Sequence, residues 1–206
     1  MKILLGIVIG AIALSIARPY LQRLFDSEHR RLVAGARSVS LSAGENGAET
    51  HFSPPENLEE IEVKYLRQAR ESVDVAMFSF TDKRIADTLK QLAVGHVKIR
   101  IYRDQEPFRE EEERSVRARD LSTAILLRGS VNIQIRVKRG SEGNAMRQAS
   151  WCLDHRLLRD GSASWSLAGD TTDDSQIHLT TDGAQIVRFE KSFEEMWSRA
   201  DNRIVQ

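Results

Sequence analysis

Between residues 147 and 178 the chain gathers polar side chains of types that can bind or react. They are Arg147, Asp154, the run Gly161-Ser162-Ala163-Ser164, and Ser175-Gln176 with His178 just beyond. A guanidinium presents a fork of N–H donors that matches phosphate oxygens, and serine hydroxyls can add to it. The same guanidinium stays protonated at any accessible pH and has no free lone pair, so it cannot serve as a nucleophile. Two histidines lie close by in the chain, His155 and His178. His178 shares a face with Gln176 in a regular strand, and an imidazole there is a candidate nucleophile or acid. Each of these residues also has a plain structural explanation. Asp154 at a strand end reads as a turn or hydrogen-bonding residue, Arg147 as a surface strand residue, and Ser162 and Ser164 as turn formers after Gly161. His29, His51 and His96 show no partner spacing that suggests a metal, and the single Cys152 reads as a small buried hydrophobe, so no metal and no cofactor are expected. Trp151 and Trp165 read as core or interface aromatics before base-stacking platforms.

The elements that must position these residues come from a chain of ordinary globular composition. Of its 206 residues 41% are apolar and 29% charged, which excludes wholesale disorder. Lys plus Arg and Asp plus Glu are both 30, so the net charge is zero and a uniformly basic nucleic-acid binder is disfavoured. One cysteine excludes an intrachain disulfide framework and a multi-cysteine zinc site.

Residues 37–51 are rich in Ser, Gly and Ala and suit a linker or a poorly packed strand. The spacing of Leu58, Ile61, Tyr65, Leu66 and Ala69 predicts a helix over about 56–70. Residues 73–80 are nearly continuously apolar, as in a strand covered on both faces. Thr81 or Asp82 caps a helix carrying Ile85, Ala86, Leu89, Leu92 and Ala93, which Gly95 ends. Residues 97–102 alternate as a strand with one solvent face. The charge run 109–114 reads as the solvated start of a helix that continues through Leu127 to Gly129. Further strands are expected at 131–137, 148–153, 176–181 and 184–187, with a turn at Asp182-Gly183. A closing helix turns Phe189, Phe193, Met196 and Trp197 inwards. This order describes an α/β sandwich with a mixed sheet.

Ahead of it, Ile3–Ala17 is an apolar run whose only polar side chain is Ser15. As a helix it covers roughly 22 Å, short of a ~30 Å hydrocarbon core, but Lys2 and Arg18 can snorkel to extend it. A cleaved signal ending at Ser15-Ile16-Ala17 is the alternative, against which Arg18-Pro19 makes a poor junction. The division expected is a membrane anchor or signal segment over 1–25, a linker over 26–51 and a domain over 52–200. Arg18, Arg23, Arg30, Arg31 and Arg37 follow the run and lean the domain to the cytoplasmic side of a single-pass anchor.

Four pieces of local text stand in a telling order: Phe52-Ser53-Pro54, Ser72-Val73-Asp74-Val75-Ala76-Met77-Phe78-Ser79-Phe80, Gly161-Ser162-Ala163-Ser164-Trp165, and Phe193-Glu194-Glu195-Met196-Trp197. Together they make residues 52–197 resemble the phospholipase D superfamily. The likeness is to its small single-motif members, the Nuc-type endonucleases and the Zucchini or mitochondrial phospholipase D group. The resemblance implies an α-β-α sandwich and a metal-independent phosphodiesterase whose histidine attacks phosphorus, in a motif His-x-Lys, four residues, Asp, six residues, Gly-Ser-x-Asn. It also implies a homodimer that brings two such motifs together.

Laid on this chain by the Asp and Gly-Ser spacing, the motif keeps Asp154, Gly161 and Ser162. It puts Arg147 on the histidine, Ala149 on the lysine and Ser164 on the asparagine. The family's Glu-Asn pair falls on Ser175 and Gln176, and Arg159-Asp160 stands where an apolar-polar pair is usual. No catalytic residue is therefore assigned with Arg147, Ala149, Asp154, Ser164, Ser175 and Gln176 as the pocket positions; Arg147, Ser162 and Ser164 are the phosphate-binding candidates. The expectation is a membrane-anchored, catalytically impaired homologue that binds a phosphate-bearing ligand, phospholipid or nucleic acid, or a partner. It pairs as a homodimer or with an active paralogue. The alternative is an active phosphodiesterase with non-standard catalytic residues.

Overall fold

The computed structural model describes residues 47–140, 144–166 and 173–205, so the proposed anchor over 1–25 lies outside the described residues. Among those residues no helix is long and apolar enough to cross a membrane.

The elements in order are β1 (Ala48–Ser53), α1 (Leu58–Leu66), β2 (Ser72–Met77), α2 (Lys83–Val94), β3 (Lys98–Arg103), α3 (Gln105–Ala118), α4 (Thr123–Leu127), β4 (Ile133–Val137), β5 (Ala149–Leu153), β6 (Leu157–Gly161), β7 (Ser175–Thr180), α5 (Gly183–Trp197) and β8 (Arg203–Val205). The strands form one sheet in the order β1-β7-β6-β5-β2-β3-β4-β8. β2, β3 and β4 run parallel, joined by helical crossovers, while the remaining neighbours are antiparallel. Side chains alternate across the sheet. Val73, Val75, Met77, Ile99, Ile101, Trp151 and Leu153 pack with α1 and α2 on one face. Ala76, Tyr102, Cys152 and Leu158 pack with Ile186, Phe189, Phe193 and Trp197 of α5 on the other. This is the mixed-sheet α-β-α sandwich expected.

Helix starts follow their capping residues. Asn57, Asp82, Asp104, Ser122 and Asp182 each accept a backbone N–H of the first turn through the side chain. This corrects the strand expected at 184–187. The Asp182 carboxylate takes the Ala184 N–H at 2.8 Å, the helix starts there, and Ile186, Phe189 and Phe193 continue as its buried stripe.

Other differences are tertiary in origin. β1 begins at Ala48, inside the stretch read as linker, because β7 offers its edge to a strand with little apolar pattern of its own. β8 lies beyond residue 200 and pairs with β4, so the sheet outruns both ends of the 52–200 span. The single helix expected from 109 to 127 is two, broken where Arg119 enters the left-handed region (φ 53°) and Ser122 starts a new cap. β3 has no open solvent face. Arg100 forms a two-pronged bond to Asp74 at 2.6 and 2.7 Å and stacks on Phe193, while Tyr102 is fully buried. β6 carries no apolar alternation at its end because Arg159 is buried as half of an ion pair.

The charge run is not wholly solvated either. Glu111 is buried, 2.8 Å from the guanidinium of buried Arg103, and accepts from both the backbone N–H and the hydroxyl of Thr123. Removing one partner of such a pair strands a buried charge. Glu111→Ala is expected to cost roughly 3–5 kcal/mol in urea denaturation, whereas exposed Glu113→Ala stays within about 0.5 kcal/mol.

Candidate functional site

The register gathers the motif at one rim of the sheet, where β2 and β3 end. Met77 of β2 lies opposite Ala149 at the start of β5, Gly161 at the end of β6 lies opposite Ile177, and Ser175 at the start of β7 lies opposite Ser53. Arg147, Ala149, Ser162, Ser164, Ser175 and Gln176 therefore share this rim.

The loop after β6 is fastened from both sides. The backbone N–H groups of Ser162 and Ala163 donate to the Gln176 carbonyl at 3.0 and 3.2 Å, and the Ser162 hydroxyl oxygen accepts from the Gln176 N–H at 3.1 Å. Gly161 allows this embrace. Its φ is 151°, and a Cβ there would meet the Gln176 carbonyl oxygen at 2.2 Å. Beyond half-buried Ser164, the Trp165 carbonyl accepts from the backbone N–H groups of Thr81 and Asp82, just ahead of α2, and its buried ring packs edge-on to Phe80. Because Ser162 accepts a backbone bond, its O–H proton remains able to donate.

Arg147 is exposed, with its guanidinium carbon 5.5 Å from the centre of the Phe78 ring. Phe78 is tied to the same segment by its N–H, which donates to the Gln148 carbonyl at 2.8 Å. A guanidinium lying on an aromatic face keeps its edge donors available to an anion.

Beneath the rim lies a feature that sequence reasoning noted only as an unusual Arg159-Asp160 pair. Arg159 is completely buried and shares a face with Trp151, its register partner. Its guanidinium donates to the carbonyls of Ala149 and Ala163 and lies 2.6 Å from Glu62 of α1, whose other carboxylate oxygen accepts the Trp151 indole N–H. Arg159 thus joins β5, the Ser162–Ser164 loop and α1 under the position where the motif would have its lysine. An unlikely charge inside a strand and Glu62 on the apolar stripe of a helix are the signals that could have found it.

Asp154 is not at the rim. It sits at the opposite end of the sheet with φ 50°, where its carboxylate accepts the backbone N–H groups of Arg70, Glu71 and Ser72 at 2.8–3.1 Å. His178 pairs across β6 with Asp160, its Nδ1 3.6 Å from the carboxylate. Its register places it on the α5 face, opposite the face of Ala149 and Ser175. His155 bonds through Nδ1 to Glu190 of α5, and His51 lies between Glu49 and Glu56. Among the described residues no group of three or more His, Cys, Asp or Glu could hold a metal ion.

With this geometry in hand, comparison with known proteins defines the class. Residues 63–197 match the family described as cardiolipin synthase, PLD-like domain. The chain belongs to this phospholipase D-like family. Among curated proteins it is similar to the mitochondrial cardiolipin hydrolase of Chlamydomonas reinhardtii, 23% identical over 133 residues, which are 65% of this chain and 54% of that protein. The chain therefore spans about half the length of that relative. Among solved structures the fold is shared with NucT from Helicobacter pylori (TM-score 0.64, 23% identity, 73% of this chain and 94% of that one). It is shared equally with Nuc from Salmonella typhimurium, a phospholipase D family member (TM-score 0.64, 16% identity, 76% and 96%).

Two predictions follow from this geometry. Restoring the motif's lysine as Ala149→Lys crowds an ammonium against the buried Arg159 guanidinium, and is expected to cost roughly 1–3 kcal/mol. In a Glu62→Leu, Arg159→Leu background the cost of the same change should fall, as a double-mutant cycle by chemical denaturation will read. The second concerns His155, whose bond to Glu190 holds the imidazole above its ordinary value of 6.5. The protonated form is favoured by folding, so this stabilisation is fully present below about pH 6.5 and is lost as pH rises through the higher folded value. His155→Gln should flatten that slope in denaturation midpoints measured across pH.

Proposed function

We propose that this chain is a phospholipase D-like protein that binds a phosphate-bearing ligand at the rim carrying Arg147, Ser162 and Ser164, and does not cleave it. The observation that carries this reading is the guanidinium at residue 147, in the motif's histidine position. A protonated guanidinium has no electron pair for phosphorus, so no covalent phospho-intermediate forms there, yet its paired N–H groups suit two phosphate oxygens. Three further features support the reading. Ala149 supplies no ammonium, Arg159 with Glu62 fills the space below it, and Ser175 has no carboxylate to orient an imidazole. Of the four described histidines, His51 and His155 are bound to carboxylates, and His96 sits at the far end of the sheet. His178 lies on the opposite sheet face, so the reading routes no step through it.

Tethering to a membrane belongs to the same proposal and rests on the apolar run Ile3–Ala17, with the domain on the cytoplasmic side. Pairing with a second phospholipase D-like chain, a like copy or a paralogue with an intact motif, is the association the family's single-motif members suggest.

The test uses the full chain with a short single-stranded oligonucleotide and, separately, a phosphatidylglycerol headgroup analogue. Binding of one of them should weaken with salt and fall roughly tenfold or more in Arg147→Gln. The same preparation should release no p-nitrophenol from bis(p-nitrophenyl) phosphate. Turnover that survives in Arg147→Gln and disappears in His178→Ala would overturn the assignment.

A further inference from the structure

The end of the sheet opposite the rim presents two aliphatic side chains to solvent. Val131, ahead of β4, is 96% exposed, and Val94, in the last turn of α2, is 78% exposed. They belong to one local structure. The Asn132 amide donates to the Ala93 carbonyl at 2.9 Å, and the Asn132 carbonyl accepts from Ile99 of β3.

Exposed cations surround this end. Lys90 is one turn before Val94, Lys98 opens β3, Arg128 follows α4, and Arg67 and Arg70 lie between α1 and β2 with Glu71 beside them. Against these five cations stand the exposed carboxylates of Glu71 and of Asp87, one turn before Lys90, so this end is locally positive while the chain as a whole is neutral. Cations near helix C-termini also complement the helix dipole, and that alone accounts for Lys90, Arg67 and Arg128. It does not account for two valines held in water beside them.

A third observation concerns connectivity. β1 runs from Ala48, paired with Thr180, to Ser53, paired with Ser175 at the rim. β1 therefore opens at the same end of the strands as the valines, near the opposite lateral edge of the sheet from β4.

We infer that this end is a docking surface for an anionic lipid bilayer, with Val94 and Val131 entering the headgroup region and the surrounding lysines and arginines facing lipid phosphates. The inference is independent of what binds at Arg147, since it uses none of the rim residues. It commits the domain to one orientation, strand starts towards the lipid and rim towards water.

The full chain is tested with vesicles of phosphatidylcholine alone or with phosphatidylglycerol added. A bimane probe on Ser130→Cys reports the valine end, and one on Gly140→Cys reports the rim. Native Cys152 is buried and escapes labelling. Acrylamide, an uncharged quencher in the water, should reach the Ser130 probe severalfold less on anionic vesicles than on phosphatidylcholine, and the Gly140 probe equally on both. The pair Val94→Gln and Val131→Gln should abolish the shielding while leaving the thermal midpoint nearly unchanged, because both side chains are already in water and no charge is added at the end of α2. Equal quenching at residue 130 on the two kinds of vesicle, shielding that survives the paired substitution, or shielding at residue 140 instead would each overturn the proposal.

Discussion

The arrangement of the rim depends on one buried charge. Arg159 has no contact with water, and its guanidinium is compensated by Glu62 and by two carbonyls that belong to different pieces of backbone, Ala149 on β5 and Ala163 in the loop after β6. An ion in that position is tolerable only when each of its partners is in place, so it fixes their separation more strictly than apolar packing does. The floor under the motif is therefore set by charge, where Val73, Val75, Leu153 and their neighbours elsewhere in the sheet are set by shape.

That floor limits which side chains the rim can carry. A lysine at residue 149 and an arginine at residue 159 would place two cations on one face of neighbouring strands, and only one of them has a carboxylate to answer it. The buried Arg159–Glu62 pair and a lysine at residue 149 are therefore physical alternatives. The scaffold around them is held by other residues. Gly161 still allows the loop to close on Gln176, and Asp154 still gathers three backbone N–H groups at the far end. The residues that hold the scaffold and the side chains that face the rim are thus different sets.

How much of this could be read in advance varied with the kind of force at work. Periodicity revealed α1, α2, α5 and the central strands, since a covered face leaves an apolar record in the sequence. The motif's spacing picked out positions that meet at the rim, but it also picked out Asp154, which lies at the far end of the sheet and serves backbone N–H groups there. Elements whose existence depends on a neighbour were not legible. β1 exists because β7 has a free edge, β6 hides a charge that only Glu62 makes tolerable, and 184–187 is helical because Asp182 captures the Ala184 N–H. Glu111 is the sharpest case. Within a run of four acidic residues nothing distinguishes it, and only the buried guanidinium of Arg103, contributed by a strand, selects it.

The direction of β1 sets what each of its ends can meet. Ala48 to Ser53 spans five strand rises, about 17 Å. The Ser53 end lies beside Ser175 at the serine-lined lip, and the Ala48 end lies beside Thr180 at the opposite end of the strands. A molecule seated on the lip is therefore a strand's length away from anything that touches Ala48.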